Sequence, residues 1–337
     1  VLLLLLVGVV FVLSPAKLLG HLTGLNVQGL VLCIFVYYFL ATILPIDKLI
    51  GRLYPFFGAL LLFMTFGVLG GMIWSDFPVL PRLELTANFH PEGLPVWPLL
   101  FITLSCGAIS GFHSTQSPLM ARCIRNESKG RLVFYGAMIV EGIIALIWAA
   151  AGLSFYENPQ ALHDIIAAGS PSLVVDQICK SLLGPIGGFL AILGVIVLPI
   201  TSGDTAFRST RLILAETFRV GQIRPLHRLM LAVPLFAVAY VISLVDFQLV
   251  WRYFGWSNQT LAMLVLWSAA IYLVQSGKCH WIASAPASFM TAVSISFILQ
   301  ASIGFGLPAT FFNAIGLACA VSALAALLVF AKKKKIQ

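Results

Sequence analysis

Residues 98–127 read PLLFITLSCGAISGFHSTQSPLMARCIRNE. The first thirteen, Pro98 to Ser110, are almost wholly apolar, and as a helix they extend about 20 Å at ~1.5 Å per residue. The hydrocarbon core of a bilayer is about 30 Å thick. In a membrane helix the polar run Gly111–Ser117 therefore begins inside the membrane, and Arg122 marks the exit. Gly107 and Gly111 permit unwinding, while Pro118 removes a backbone donor and favours a fresh helix start after it. Unwound backbone at that depth is tolerated only where it faces protein or a water-filled cavity. Interrupted helices of this kind line the substrate sites of many secondary transporters. The plainer alternative is a short or re-entrant helix at 98–110, with 111–117 a turn at the surface.

Whether this is a membrane helix follows from composition. Of 337 residues 60% are hydrophobic and 9% charged, with a mean hydropathy of +1.01. A water-soluble domain needs about a quarter of its residues charged. The chain reads as an all-α, multi-pass integral membrane protein. Its net charge of +8 forms no basic groove interleaved with aromatics, so a nucleic-acid partner is excluded. Six scattered cysteines make no CxxC pair, which argues against a disulfide framework or a metal site. About ten spans can be drawn, at 1–13, 28–46, 55–74, 98–121, 131–153, 185–214, 229–246, 251–274, 281–303 and 308–331. Longer loops, able to hold short surface helices, fall at about 75–97 and 154–184. With no initiator Met and residue 1 inside an apolar run, the chain is expected to be a piece lacking an N-terminal part.

Charge orients the spans. With residue 13 outside, the inside turns hold Lys48 and Arg52; Arg122, Arg125, Lys129 and Arg131; Arg208, Arg211, Arg219, Arg224 and Arg228; Lys278; and Lys332–Lys335. These are sixteen of the twenty basic residues, leaving Lys17, Arg82, Lys180 and Arg252 outside. The C-terminus is expected to be cytoplasmic.

Three further polar sites sit within apolar runs. In VLPITSGDTAFRSTRLILAE (197–216), Thr201, Asp204, Arg208 and Arg211 share one helical face, and Asp204 and Arg208 form an i,i+4 pair. Thr201, Ser202 and Thr205 put hydroxyls beside the Asp204 carboxylate, chemistry that suits a Na⁺ or a proton; the alternative is a structural ion pair. Glu141 stands alone near the middle of span 131–153, as a proton carrier or paired to a neighbouring helix. In WRYFGWSNQTLAML (251–264), Asn258, Gln259 and Thr260 read as interhelical hydrogen-bonding groups, with Asn258 and Gln259 also candidates for substrate binding. Trp251, Trp256 and Tyr253 read as an interfacial belt.

The stretches SGFHSTQSPLMARCIRNESKGRLVFYGAMIVEGIIALIWA, PITSGDTAFRSTRLILAE and WRYFGWSNQTLAM, in this order, resemble the carbon starvation protein A family of bacterial inner-membrane proteins. The resemblance implies uptake of peptides during carbon starvation, or of pyruvate with protons. It also implies a core of two inverted five-helix repeats, as in the amino acid–polyamine–organocation superfamily. In that scheme 1–74 ends the first repeat and 98–274 forms the second. The broken helix 98–121 is then the sixth core helix, 185–214 the eighth, and 281–331 holds two additional helices. A chain lacking the first core helices is expected not to transport alone.

The expected function is a secondary transporter of short peptides or pyruvate-like monocarboxylates, with the lipid bilayer as its setting and no cofactor. Substrate binding is expected at Gly111, Phe112, His113, Ser114, Thr115, Gln116 and Ser117 with Asn258 and Gln259, the His113 imidazole and backbone amides facing a carboxylate. Ion coupling is expected at Thr201, Ser202, Asp204 and Thr205, with Glu141 second; the ion is H⁺, or Na⁺ held by Thr201, Ser202 and Thr205. No catalytic residue is assigned. The rivals are a nutrient sensor on a transporter fold and an intramembrane hydrolase using His113, Ser114, Ser202 and Asp204; no GxSxG elbow supports the latter.

Overall fold

The computed structural model describes residues 1–43, 47–78, 88, 90, 93–107, 109–168 and 171–336, without side chains at 43, 47–54, 168, 191, 335 and 336. Most of the expected loop at 75–97 including Arg82, and the side chains of Lys48, Arg52 and Lys335, lie outside the described residues. The elements are α1 (Leu2–Thr23), α2 (Val27–Ile43), α3 (Asp47–Trp74), α4 (Val96–Leu104), α5 (Gly111–Cys123), α6 (Ala137–Ser154), α7 (Pro159–Ala168), α8 (Pro171–Thr217), α9 (Pro225–Ser243), α10 (Phe247–Gln275), α11 (Trp281–Gln300) and α12 (Ala309–Ile336). Among the described residues there is no strand, and nine helices are long and apolar enough to cross a bilayer, with Val27–Thr42 a shorter apolar one. This is an all-α, multi-pass membrane protein.

The chain divides into two compact units, Val1–Pro91 with Gly142–Val250, and Glu92–Glu141 with Trp251–Gln337. In the first, α8 packs along α1 and α3, and α1 also meets α2 and α9. α1 is apolar all round and buried on most of its faces, as a helix at the centre of a bundle must be. Gly8 makes room for the Phe207 ring, which stacks on Phe236 with centroids 4.6 Å apart. The Tyr38 hydroxyl reaches the carbonyls of Phe11 (3.2 Å) and Pro199 (3.3 Å), tying α2 to α1 and α8.

Two expected boundaries are corrected in this unit. α1 does not stop at residue 13 but runs through Pro15 to Thr23, where Gly24 adopts a left-handed cap (φ 71°). Ser14 Oγ meets Ser172 Oγ at 3.1 Å, and the Lys17 ammonium lies 4.4 Å from the Phe247 ring centroid. Lys17 is therefore a helix residue with an aromatic partner, not a loop residue. Likewise 171–183 is helical rather than loop. Its polar residues find partners: Lys180 Nζ donates to Asp176 (2.9 Å) and Tyr156 donates to Gln177 (3.0 Å). α8 then turns at Gly184 (φ 68°, ψ −173°), a backbone state open essentially to glycine alone.

In the second unit α11 packs on α12 and α4. Ile102, Met290, Val293 and Phe297 form its apolar core, with Trp97, Phe101 and Trp256 against it. Indole N–H groups bind across helices, Trp97 to Asn313 Oδ1 (2.9 Å), Trp256 to the Ser294 carbonyl (3.1 Å) and Trp267 to Thr291 Oγ1 (2.9 Å). Trp256 thus belongs to the packing rather than to an aromatic belt, while Trp251 keeps 40% of its surface exposed.

Candidate functional site

The helix carrying the polar run is broken, six residues earlier than the sequence suggests. α4 ends at Leu104, Ser105–Gly107 forms a 3₁₀ turn, Ser110 is extended (φ −119°, ψ 128°), and α5 starts at Gly111. Gly111–Ser117 is not unwound, and Pro118 lies inside α5 instead of opening a new helix. The hydroxyls explain this. Ser114, Thr115 and Ser117 donate to the carbonyls of Gly111 (2.6 Å), Phe112 (2.6 Å) and His113 (2.7 Å), satisfying themselves on their own helix. Gln116 donates to Thr115 Oγ1 at 3.1 Å.

The start of α5 is held from α10. Asn258 Oδ1 accepts from the Phe112 amide (2.8 Å) and from Ser110 Oγ (3.2 Å), while its Nδ2 donates to Cys106 Sγ (3.5 Å). One side chain thus satisfies an orphan N–H at the new helix start and grips both sides of the break. Gln259, beside it, donates from Nε2 to the Ile102 carbonyl on α4 (3.1 Å). Asn258 and Gln259 are both fully buried. Gly111 permits the close approach, because a Cβ there would lie 2.3 Å from the Asn258 carbonyl oxygen. The pattern supplies the polar residues; their capping geometry has no signature in spacing.

On the open face of α5, His113 Nε2 lies 2.9 Å from Glu141 Oε2. Both side chains are partly open, at 36% and 40%, but His113 Nδ1 is buried with no hydrogen-bond partner among the described residues. Glu141 follows a π-helical turn at Arg131–Gly136, a local widening of the helix common at functional sites. The sequence reading assigns His113 to substrate and Glu141 to ions; the structure brings them together.

The second constellation sits on α8 in the other unit. Asp204 is 3% exposed, and its Oδ2 accepts from Arg208 Nη2 at 3.1 Å. Arg208 Nη2 also donates to the Ala41 carbonyl (3.1 Å). Thr201 and Thr205 donate to the carbonyls of Leu198 (2.8 Å) and Thr201 (2.9 Å), and Ser202 is half-buried next to them. Arg211, on the same face, turns instead to Gln222. The i,i+4 pairing of Asp204 and Arg208 is as the spacing predicts. For a Na⁺ ion the hydroxyl lone pairs and the unpartnered, buried Asp204 Oδ1 are the available oxygens. Among the described residues no three His, Cys, Asp or Glu cluster as metal ligands do.

The chain is similar to known proteins over most of its length. The family model described as carbon starvation protein CstA matches residues 1–158 and 156–297. An uncharacterised membrane protein of Haemophilus influenzae is 47% identical over 230 residues, covering 53% of this chain and 62% of that protein. The peptide transporter CstA of Escherichia coli is 26% identical over 333 residues, covering 75% of this chain and 47% of that protein. The pyruvate/proton symporter BtsT of the same organism is 32% identical over 120 residues, covering 33% of this chain and 16% of that protein. The chain thus spans about half the length of the curated peptide transporter it matches along most of its own. The matched model takes in both α5 with its break and the Asp204 face of α8, and the chain belongs to the carbon starvation protein CstA family.

Proposed function

We propose that this chain forms part of a secondary transporter of a bacterial inner membrane. It takes up small carboxylate-bearing solutes, short peptides or pyruvate-like monocarboxylates, with a proton. The observation that carries this reading is the break between Leu104 and Gly111, with the start of α5 fixed by Asn258 and the polar His113–Glu141 pair beside it. Helix N-termini favour anions. In discontinuous membrane helices such ends face the substrate. Gly111 to Ser117, the first two turns of α5, carry the substrate site in this reading, and Asn258 and Gln259 hold the helix start in place. The names of the relatives, a peptide transporter and a pyruvate/proton symporter, supply the two substrate classes and the ion. The inverted repeat, with 1–74 and 98–274 as halves and 281–331 added, is the architecture in which rocking about this break would give alternating access.

The test is uptake into proteoliposomes by the intact native protein. Labelled pyruvate and a labelled dipeptide are offered under an inward proton gradient, then a sodium gradient. Accumulation of one solute that collapses with a protonophore is the expected outcome. Binding without flux of either would replace the transporter by a nutrient sensor, and labelling of Ser114 or Ser202 by a serine-reactive probe would point to a hydrolase.

A further inference from the structure

Resting on the transporter reading, we infer that His113 and Glu141 form a single proton site, and that the substrate carboxylate competes with Glu141 for His113 Nε2. Coupling then arises at α5 and α6.

The argument begins with partners. Both Glu141 and Asp204 lie in membrane-spanning helices, where a carboxylate needs a partner. Asp204 has Arg208 at 3.1 Å, a fixed cation. Protonating Asp204 would leave that cation without its counterion. Glu141 has His113 at 2.9 Å, an imidazole that offers it an N–H without a fixed charge. No fixed charge opposes loading or unloading of this second pair.

The next step is where the proton sits. With none added, a neutral imidazole donates Nε2–H to the Glu141 carboxylate, and the pair carries one negative charge. One added proton makes it neutral. An imidazolium would need an acceptor for Nδ1–H as well, and Nδ1 is buried with none among the described residues. The added proton therefore goes to Glu141, giving a carboxyl group. The neutral carboxyl no longer draws Nε2–H, which is freed for another anion. The facing groups from neighbouring elements do not disturb this assignment. Cys106 of the 3₁₀ turn lies in electrostatic reach of Glu141 and accepts from Asn258 as a neutral thiol, and Asn258 of α10 carries no charge. On α5 itself, the Ser114 and Ser117 hydroxyls are committed to helix carbonyls.

Coupling follows from charge. A substrate carboxylate arriving beside an unprotonated pair would place two negative charges side by side in a low-dielectric setting. Beside the protonated pair it meets a free Nε2–H and no opposing charge. Proton and carboxylate bind together and leave together, and by linkage each raises the affinity for the other equally. Both side chains are only partly covered by the described residues.

The experiment pairs transport with a direct readout of the proton, on the intact native protein. Infrared difference spectra between alkaline and acid pH should show a carboxyl C=O band that vanishes in Glu141→Gln. In proteoliposomes, Glu141→Gln should lose gradient-driven accumulation, falling to the level without a gradient, and its residual exchange should no longer change with pH. The inference is overturned if Glu141→Gln leaves the carboxyl band in place, or if that variant accumulates substrate as the native protein does. If the band is present and assigned to Glu141 while the native protein moves neither solute, the proton site stands and the transporter reading falls.

Discussion

Asp204 and Arg208 lie one helical turn apart on α8, the carboxylate 3% exposed and the guanidinium side chain 20% exposed. Asp204→Asn keeps the size of the side chain and removes its charge, leaving Arg208 with the Ala41 carbonyl but without its counterion. Breaking a buried pair from one side costs about 3–5 kcal/mol, and the partial exposure of Arg208 puts this case near about 3 kcal/mol. Arg208→Gln should cost a similar amount, and the double variant much less than the sum, because it leaves no charge unpaired. Denaturant unfolding in detergent, followed by helix content, measures this cycle. Strict additivity would show that the two side chains do not act as a pair. The sequence yields this pair because an i,i+4 spacing on one helix is readable from four consecutive turns. It does not yield the His113–Glu141 pair, whose members are 28 positions apart and meet only through the placement of α5 against α6.

At the scale of elements, polar residues within apolar segments mimic chain breaks, and three of the corrections have that origin. Ser14–Pro15 and Lys17 suggest an end to α1, but the Ser172 hydroxyl and the Phe247 ring accommodate them within the helix. Asp176, Gln177 and Lys180 suggest a loop, but each has a partner. The polar face of α5 suggests unwinding, but its hydroxyls bond back to their own turn. Backbone chemistry is no surer a guide by itself: Pro118 lies inside α5, whereas the turn at Gly184 falls one residue before the span expected from 185. Backbone chemistry also allows two neighbouring glycines of α3 to be told apart. A Cβ at Gly70 would meet nothing within 4 Å, whereas one at Gly71 would lie 2.9 Å from Leu182 Cβ and 3.2 Å from the Leu182 carbonyl oxygen. Gly70→Ala should stabilise by about 0.5–1 kcal/mol through helix propensity. Gly71→Ala should destabilise by about 1–3 kcal/mol, since α3 and α8 must separate to admit the methyl. Thermal unfolding of the two variants in the same detergent decides this; equal effects would mean that α3 and α8 do not meet at that point.

For the whole molecule, the strongest argument from sequence is the distribution of charge. Sixteen of twenty basic residues fall on one side when the spans alternate, and of the four assigned opposite, Lys17, Lys180 and Arg252 lie within helices while Arg82 is outside the described residues. Basic loops are retained on the cytoplasmic side during insertion. The expected arrangement therefore has the turns around Ser128 and Ser276 and the C-terminal lysines inside, with Glu157 and Phe305 outside. Fusions of green fluorescent protein and alkaline phosphatase after each of these residues test it. Fluorescence is expected after Ser128, Ser276 and Lys332, and phosphatase activity after Glu157 and Phe305. Phosphatase activity at the C-terminus would invert the orientation. The comparison of Ser128 with Glu157 bears on more than orientation, because Glu141 lies between them on the π-turn and α6. Opposite sides require the chain to cross the bilayer over that interval, which puts the Glu141 carboxylate at membrane depth, where an anion is costly and a neutralising proton most valuable. The same side for both would leave Glu141 in water, and the electrostatic reason for proton and carboxylate to bind together would disappear with it.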